Sequence, residues 1–374
     1  MPAAIAHLVT LLETYHELKS VFKTELDLYD GIFRAEPRKQ KKLIESDSNL
    51  GKNRTDQYIS QYAYLGSVFP DVPYYGDEKF AADLFHYNLS GTFAIKLIDY
   101  AKGKGVKSDA GKRLMAFTLG FISHIACDVV CHPYINTIAG AYSNQLIPFI
   151  DTIKLPMVTE VPIIGEPIRW LISKGVNMHM MTETHQDSWL AKNYFGLKDL
   201  ASEGATRSWS GFIDKLSLGV FIPHRKDEVE ALFGDVLSCF AEVYKKNLKE
   251  KHLWTASNFV FEMLDGSYDR ALFPFPELPS MNLVDYRHRD HNYYDYLKRA
   301  FTLSKALCKL AIEYYKTPSP ATTQKKTLKE YLKDWNLDTG YYINVDTQEK
   351  NGRIDSIHII YEHSWCHNYG LYNL

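Results

Sequence analysis

Apolar and polar residues alternate at helical spacing over residues 1–22, which predicts an opening amphipathic helix. The stretch "KNRTDQYISQYAYLGSVFPDVPYYGDE" reads as a helix followed by a loop, because Gly66, Pro70, Pro73 and Gly76 punctuate it. Residues 79–103 carry a helical pattern that ends at Gly103 and Gly105, where glycine suits a C-cap. Residues 109–131 form a strongly apolar helix, with Pro133 at a first-turn or break position just beyond. A long helix is expected over 166–195, opening after Pro167, and amphipathic helices over 226–248 and 290–316. The clearest linker is "KTPSPATTQKK" at 316–326. Beyond it "YYINVDTQ" and "RIDSIHIIYE" are β-rich, and Asn351–Gly352 between them supplies a hairpin signal. The pattern predicts a mainly α protein. Residues 1–200 form a helical core, 201–315 pack further helices on it, and 316–374 are a linker with a small β-hairpin or mixed appendage.

Composition narrows the class. Of 374 residues, 45% are apolar and 24% charged, as in a globular protein with a substantial core. A net charge of −2 offers no electrostatic footprint for duplex nucleic acid, so none is expected as a partner. The 26 Tyr and 19 Phe favour thick helix packing. Five widely scattered cysteines do not resemble a disulfide framework. The N-terminus "MPAAIAHLVTLLETYHELKS" has neither a basic region nor a clean apolar run, so no signal peptide is expected. No stretch of about eighteen uncharged apolar residues suggests a membrane span. A reduced, cytoplasmic protein is the expectation.

One segment conflicts with its surroundings. "FISHIACDVVCHPYIN", residues 121–136, places His124, Asp128 and His132 four residues apart on one face of an apolar helix. Burying three such groups without partners costs several kcal/mol. His7 lies in the apolar start of the first helix, Asp71 follows Pro70, and His86 sits in "AADLFHYNLS". "NMHMMTETHQDSW" sets His179 and Glu183 at i and i+4, with Asp187 a turn further on. Taken singly, His7 reads as an ordinary core group and His179–Glu183 as a solvated pair. Together they resemble a metal constellation, since zinc takes imidazole nitrogen and carboxylate oxygen from rigid elements. Asp128, between two histidines, is placed to bridge two ions, and His179 and Glu183 to complete a site with His132. Weaker candidates are His363 with Cys366 and His367, and His288 with His291. Cys127, Cys131 and His132 imitate a haem attachment only superficially, because three residues separate the cysteines where that motif needs two.

The ordered set Asp71, His86, His124, Asp128, His132, His179, Glu183 resembles the zinc-dependent phospholipase C and single-strand nuclease superfamily. The carrying segments are "MPAAIAH", "FPDVPYY", "LFHYN", "LGFISHIACDVVCHPYIN" and "HMMTE". They are similar in particular to the bacterial zinc-dependent phospholipase C group without signal peptides, over residues 1–190. The resemblance implies a phospholipase C/nuclease-like helical bundle with two or three zinc ions. Asp71, His86, His124 and Asp128 would hold the first. Asp128, His7 and an N-terminal amine would hold the second, and His132, His179 and Glu183 the third. Secreted relatives supply the amine from a first-residue tryptophan. Here Met1 precedes Pro2, and initiator methionine is commonly removed before proline, so the expected donor is the Pro2 amine, five residues before His7, with the Met1 amine as the alternative donor. The Asp128-to-His132 gap is shorter than in those relatives, and forty-six residues separate His132 from His179. That insert, with "LIPFIDTIKLPMVTEVPIIGEPIRWLI", reads first as a packed connection and second as a flap meeting an acyl chain or membrane surface.

The implied chemistry is phosphoester hydrolysis by zinc-activated water, with Asp71 as a ligand and as the catalytic base. The first substrate class is a phospholipid head-group diester, which entails peripheral membrane contact. A nuclease or small-nucleotide phosphodiesterase is the enzymatic alternative. A zinc-stabilised, non-catalytic interaction module is the alternative of another class. Residues 200–374, including "WNLDTGYYIN", lie outside the resemblance, and closing the active site, dimerising and binding a partner are all open to them.

Overall fold

The computed structural model describes residues 4–18, 59–139, 182, 183, 186, 187, 190, 226–253, 257, 293–338 and 340–342. In chain order its elements are α1 (Ala4–Glu17), α2 (Ile59–Val68), a 3-10 turn (Val72–Tyr75), α3 (Lys79–Tyr87), α4 (Ser90–Lys104) and α5 (Asp109–Ala139). Then come α6 (Lys226–Tyr244), α7 (Tyr293–Lys316), α8 (Thr322–Tyr331), β1 (Trp335–Asn336) and β2 (Tyr341–Tyr342). Thr182, Glu183, Gln186, Asp187 and Leu190 are also helical. The described residues are mainly α, as the periodicity predicts.

The axis of the fold is α5. Every residue from Leu114 to His132 is buried, so this stretch is covered on every side, its ionisable face included. The helix packs against α1, α2, α4 and α7. Residues Asp109–Ile135 are long and apolar enough to cross a membrane by composition, yet that apolar window is wholly buried against other helices. It is the core helix of a bundle. Around its first half the rings of Phe69, Phe85, Phe93, Phe117, Phe121, Phe240 and Tyr244 interlock, with Phe69 and Phe117 edge to face at 4.9 Å. Each fully buried phenylalanine contributes about 2 kcal/mol. The abundant aromatics thus serve helix packing.

The closest crossing is between α2 and α5. A Cβ on Gly66 would lie 1.9 Å from the Phe117 carbonyl oxygen, and one on Gly120 would lie 1.9 Å from that of Ala63. Only glycine at both positions lets the two backbones approach this closely. α7 lies along another side of α5, with Tyr296, Ala300, Leu303, Leu307 and Ala311 buried at helical spacing. The Thr14 hydroxyl donates to Ser304 Oγ at 2.7 Å and ties α1 to α7.

Several boundaries differ from the sequence-based expectation. The helix predicted over 79–103 is two helices. Asn88 is extended and Leu89 takes a left-handed φ of 51°, while the Tyr244 hydroxyl bonds the Asn88 carbonyl. Pro133 does not end α5, which runs to Ala139 with the proline inside. Its ring removes one backbone donor, while the adjoining Tyr134 packs its ring on Tyr293 and Tyr296 of α7. The predicted linker 316–326 is mostly helix: α8 begins at Thr322 and packs on α7 and α4. Of the β-rich tail, Tyr341–Tyr342 is described, and it pairs antiparallel with Trp335–Asn336. The Asn351–Gly352 hairpin, the 140–180 insert and the candidates His288, His291, His363, Cys366 and His367 lie outside the described residues. Among the described residues, Cys127, Cys131, Cys239 and Cys308 are buried free thiols.

Candidate metal centre

Asp128 is the hub. It is 2% exposed, in the middle of α5. His124 Nε2 lies 2.9 Å from its Oδ2, and His86 Nε2 lies 3.5 Å from the same oxygen. His7 Nε2 is 3.2 Å and His132 Nε2 3.6 Å from Oδ1. Four imidazoles from three helices therefore surround one buried carboxylate. Asp71 approaches from the turn after α2. An aspartate opening a helical turn usually spends its oxygens on capping. Asp71 makes no side-chain cap, and its Oδ1 instead lies 3.1 Å from His86 Nε2. Its Oδ2 is 3.8 Å from His7 Nε2.

The other ring nitrogens decide what the inward ones can do. His86 Nδ1 lies 2.8 Å from the Ala82 carbonyl, His124 Nδ1 2.8 Å from that of Ser67, and His132 Nδ1 3.1 Å from that of Leu337. A carbonyl only accepts, so each Nδ1 carries the proton and donates. The Ser67 bond depends on the glycine crossing that brings α2 against α5. In the neutral rings every Nε2 then presents a lone pair. Those of His86 and His124 face each other at 3.4 Å beside Asp128. Lone pairs and carboxylates so arranged repel unless extra protons or a cation lie between them. Among the described residues, buried Asp71 Oδ2 also has no hydrogen-bond partner. Nitrogen and carboxylate donors, inward lone pairs and carbonyl-anchored outer nitrogens together suit zinc. The ligand atoms of His7, Asp71 and His124 lie within 4.8 Å of one another, as do those of His86, His124 and Asp128.

Metal-free, the cluster relieves its repulsion with protons. Burial pulls the His7 imidazole down, but Asp128, Cys127 and Asp71 outweigh it and raise it to about 10. At His132 burial is outweighed by Asp128, Glu183 and Asp338, again to about 10. Burial lowers His124 despite Asp128 beside it. Burial pushes the Asp71 carboxyl up, and His124, His86 and His7 hold it down to about 2.

On the far side of Asp128, His132 Nε2 lies 3.1 Å from Glu183 Oε1. One turn on, Asp187 accepts the Ile5 and Ala6 amides at 3.0 and 3.1 Å. These are unpaired first-turn donors of α1, so Asp187 caps the helix that carries His7. Seven predicted residues thus converge: His7, Asp71, His86, His124, Asp128, His132 and Glu183. Pro2 and His179 lie outside the described residues.

A model of the zinc-dependent phospholipase C family matches residues 47–250, more than half of the chain. The chain belongs to the zinc-dependent phospholipase C family. The match contains Asp71, His86, His124, Asp128, His132 and Glu183. No curated protein matches the chain. No solved structure matches it either. Membership makes this a phospholipase C-type hydrolase of a zinc-dependent family, and the buried His/Asp groups are the ones that could hold the metal.

Sequence reading missed one part of the surroundings. Asp338 is 3% exposed, and its Oδ1 lies 3.7 Å from His132 Nδ1. It belongs to "WNLDTGYYIN", beyond both the resemblance and the family match. Nothing local distinguishes it from an ordinary turn aspartate.

Proposed function

We propose that this protein hydrolyses the phosphodiester of a phospholipid head group at the Asp128 centre, with zinc as its resident metal. The observation that carries the reading is the set of inward Nε2 lone pairs around Asp128, each of three backed by a backbone carbonyl. Zinc bound there would supply Lewis acidity towards phosphate oxygens and a water whose pKa falls towards about 7.

The chain's own residues take the remaining roles. Asp128, whose two oxygens face different imidazoles, would be shared between sites. His86 and His124 would hold metal with it, His7 and Asp71 would hold it beside them, and His132 with Glu183 would serve the far side. Asp71 keeps its charge at neutral pH and would contribute a ligand oxygen; it would also take the proton of the attacking water, which requires its carboxyl to be held down less than by the three imidazoles alone. Family membership favours a phospholipid, and near-neutral charge counts against a long nucleic acid.

The test uses full-length protein, stripped of metal and reloaded with zinc. Head-group release from phosphatidylcholine vesicles is measured beside cleavage of a chromogenic phosphodiester and of single-stranded DNA. Zinc-dependent head-group release, abolished in Asp128→Asn and strongly reduced in Asp71→Asn, is the expected result. Cleavage of DNA in preference to lipid would move the substrate to nucleic acid. Tightly held zinc with no hydrolysis of any substrate would make the metal structural.

A further inference from the structure

The segment 332–338 is bound to the site by its backbone. A Cβ on Gly91 would lie 2.3 Å from the Lys333 carbonyl oxygen and 2.5 Å from that of Leu332, so this glycine is the seat on which the strand rests against α4. Asp334 anchors it there, accepting the Thr92 amide at 2.7 Å and the Thr92 hydroxyl at 2.8 Å. The Ser90 hydroxyl donates to the Trp335 carbonyl at 2.9 Å, and the Trp335 side chain is 1% exposed. Leu337 then reaches both sides of the centre. Its amide donates to the His86 carbonyl at 2.7 Å, and its carbonyl accepts from His132 Nδ1 at 3.1 Å. The next residue, Asp338, brings a buried carboxylate to 3.7 Å from the same nitrogen. The turn that follows fixes it: Asp338 donates its amide to Asn336 Oδ1 at 3.0 Å, and Gly340, at φ 70°, returns the chain for β2 to pair with β1.

From this geometry we infer that residues 334–338 are a clasp that orients His132 for metal, with Asp338 as the positioning residue. The inference rests on the reading of His132 as a metal ligand. A histidine ligand works best when its outer nitrogen is held by a carbonyl or carboxylate, which fixes the tautomer and strengthens the inward lone pair. His132 has the Leu337 carbonyl within hydrogen-bond reach of Nδ1 and the Asp338 carboxylate just beyond it, where its charge favours the proton on that nitrogen, and both come from a segment outside the region that defines the family. His86 and His124 draw the same support from carbonyls close in the bundle, Ala82 and Ser67. His132 alone among these three is oriented by a distant part of the chain. The clasp therefore orients a ring only on the Glu183 side of Asp128; on the other side it bonds the His86 backbone carbonyl, while the His86 and His124 rings take their carbonyl partners from within the bundle.

The probe is cobalt(II), added to metal-free full-length protein and followed by visible absorption and binding stoichiometry. Asp338→Ala is expected to weaken one class of cobalt site by about 10–100-fold and shift its absorption band, with the other class unchanged. Asp338→Asn keeps volume and an acceptor oxygen and should recover part of the loss. Asp334→Ala, away from the metal, should release the clasp and reproduce the selective effect. Equal weakening of every cobalt site together with a lower metal-free melting temperature would reduce Asp338 to a structural role and overturn the inference. So would unchanged binding in Asp338→Ala. His132→Ala separates the two levels. If it binds cobalt as the unaltered protein does, the metal reading of that side fails. If it loses a site that Asp338→Ala keeps, the clasp alone fails.

Discussion

The two sides of Asp128 are built differently. On one side His124 lies on α5 itself, His7 on α1 and Asp71 just after α2, both helices packed on α5, and His86 on α3, whose Phe85 meets Phe121 of α5; backbone contacts inside the bundle orient His86 and His124. On the other, His132 meets Glu183 from a helical segment fifty residues later and Leu337–Asp338 from two hundred residues later. The first side is as rigid as the glycine-tight crossing of α2 and α5. The second is assembled from segments that must each dock before the ligand geometry exists. Similar ligand chemistry therefore depends on core packing on one side and on long-range docking on the other.

The largest effect should come from the residue the two sides share. Asp128→Ala should lower phosphodiester hydrolysis by about 10³-fold or more, above the range for removing a single electrostatic stabiliser. It should also lower zinc content on both sides; metal analysis showing loss on one side only would break the hub. Next is pH. In the metal-free protein His7 and His132 are raised from 6.5 to about 10, so their contribution to stability is full below pH 6.5 and is lost as pH rises towards 10. Asp71 is lowered from 3.8 to about 2, so its contribution is full above pH 3.8 and is lost as pH falls towards 2. The metal-free melting temperature should peak between these limits and decline on the alkaline side. Zinc must displace the protons on His7 and His132, so its apparent affinity should rise roughly tenfold per pH unit for each proton released. A melting temperature flat from neutral to pH 10 would remove the protonated pair.

Gly120→Ala tests the rigid side. Its Cβ would collide with the Ala63 carbonyl, so the crossing must open, at a cost of about 1–3 kcal/mol. Because Ser67 moves with α2, the His86–His124 site should weaken more than the His132 site, as read by cobalt absorption. The smallest effect is expected at Asp187. Asp187→Ala uncaps α1 at about 1 kcal/mol and loosens His7, while Asp187→Asn keeps an acceptor oxygen and should recover most of the melting temperature.

Legibility in the sequence followed the same division. His124, Asp128 and His132 stood out because helical periodicity puts i and i+4 on one face and the face is otherwise apolar. Asp71, His86 and Glu183 were readable through their order along the chain. The break at Asn88–Leu89 was not readable, because the contact that favours it comes from Tyr244. Pro133 misled because a proline normally ends a helix, and here the helix continues through it, with Tyr134 packed on α7. Asp338 gave no signal because a turn aspartate looks alike whether it faces water or an imidazole.

In the sequence by itself, local periodicity was enough for the mainly helical class and for the ionisable face on α5, while the zinc-type donor set was legible only through the resemblance carried by residue order. Only the tertiary structure decided which Nδ1 atoms meet carbonyls, that Asp187 caps α1, and that Leu337 and Asp338 close behind His132. Apart from the local His86–Ala82 bond, those contacts join residues 57 to 205 positions apart, and no local pattern encodes a hydrogen bond whose partner arrives only when the bundle closes.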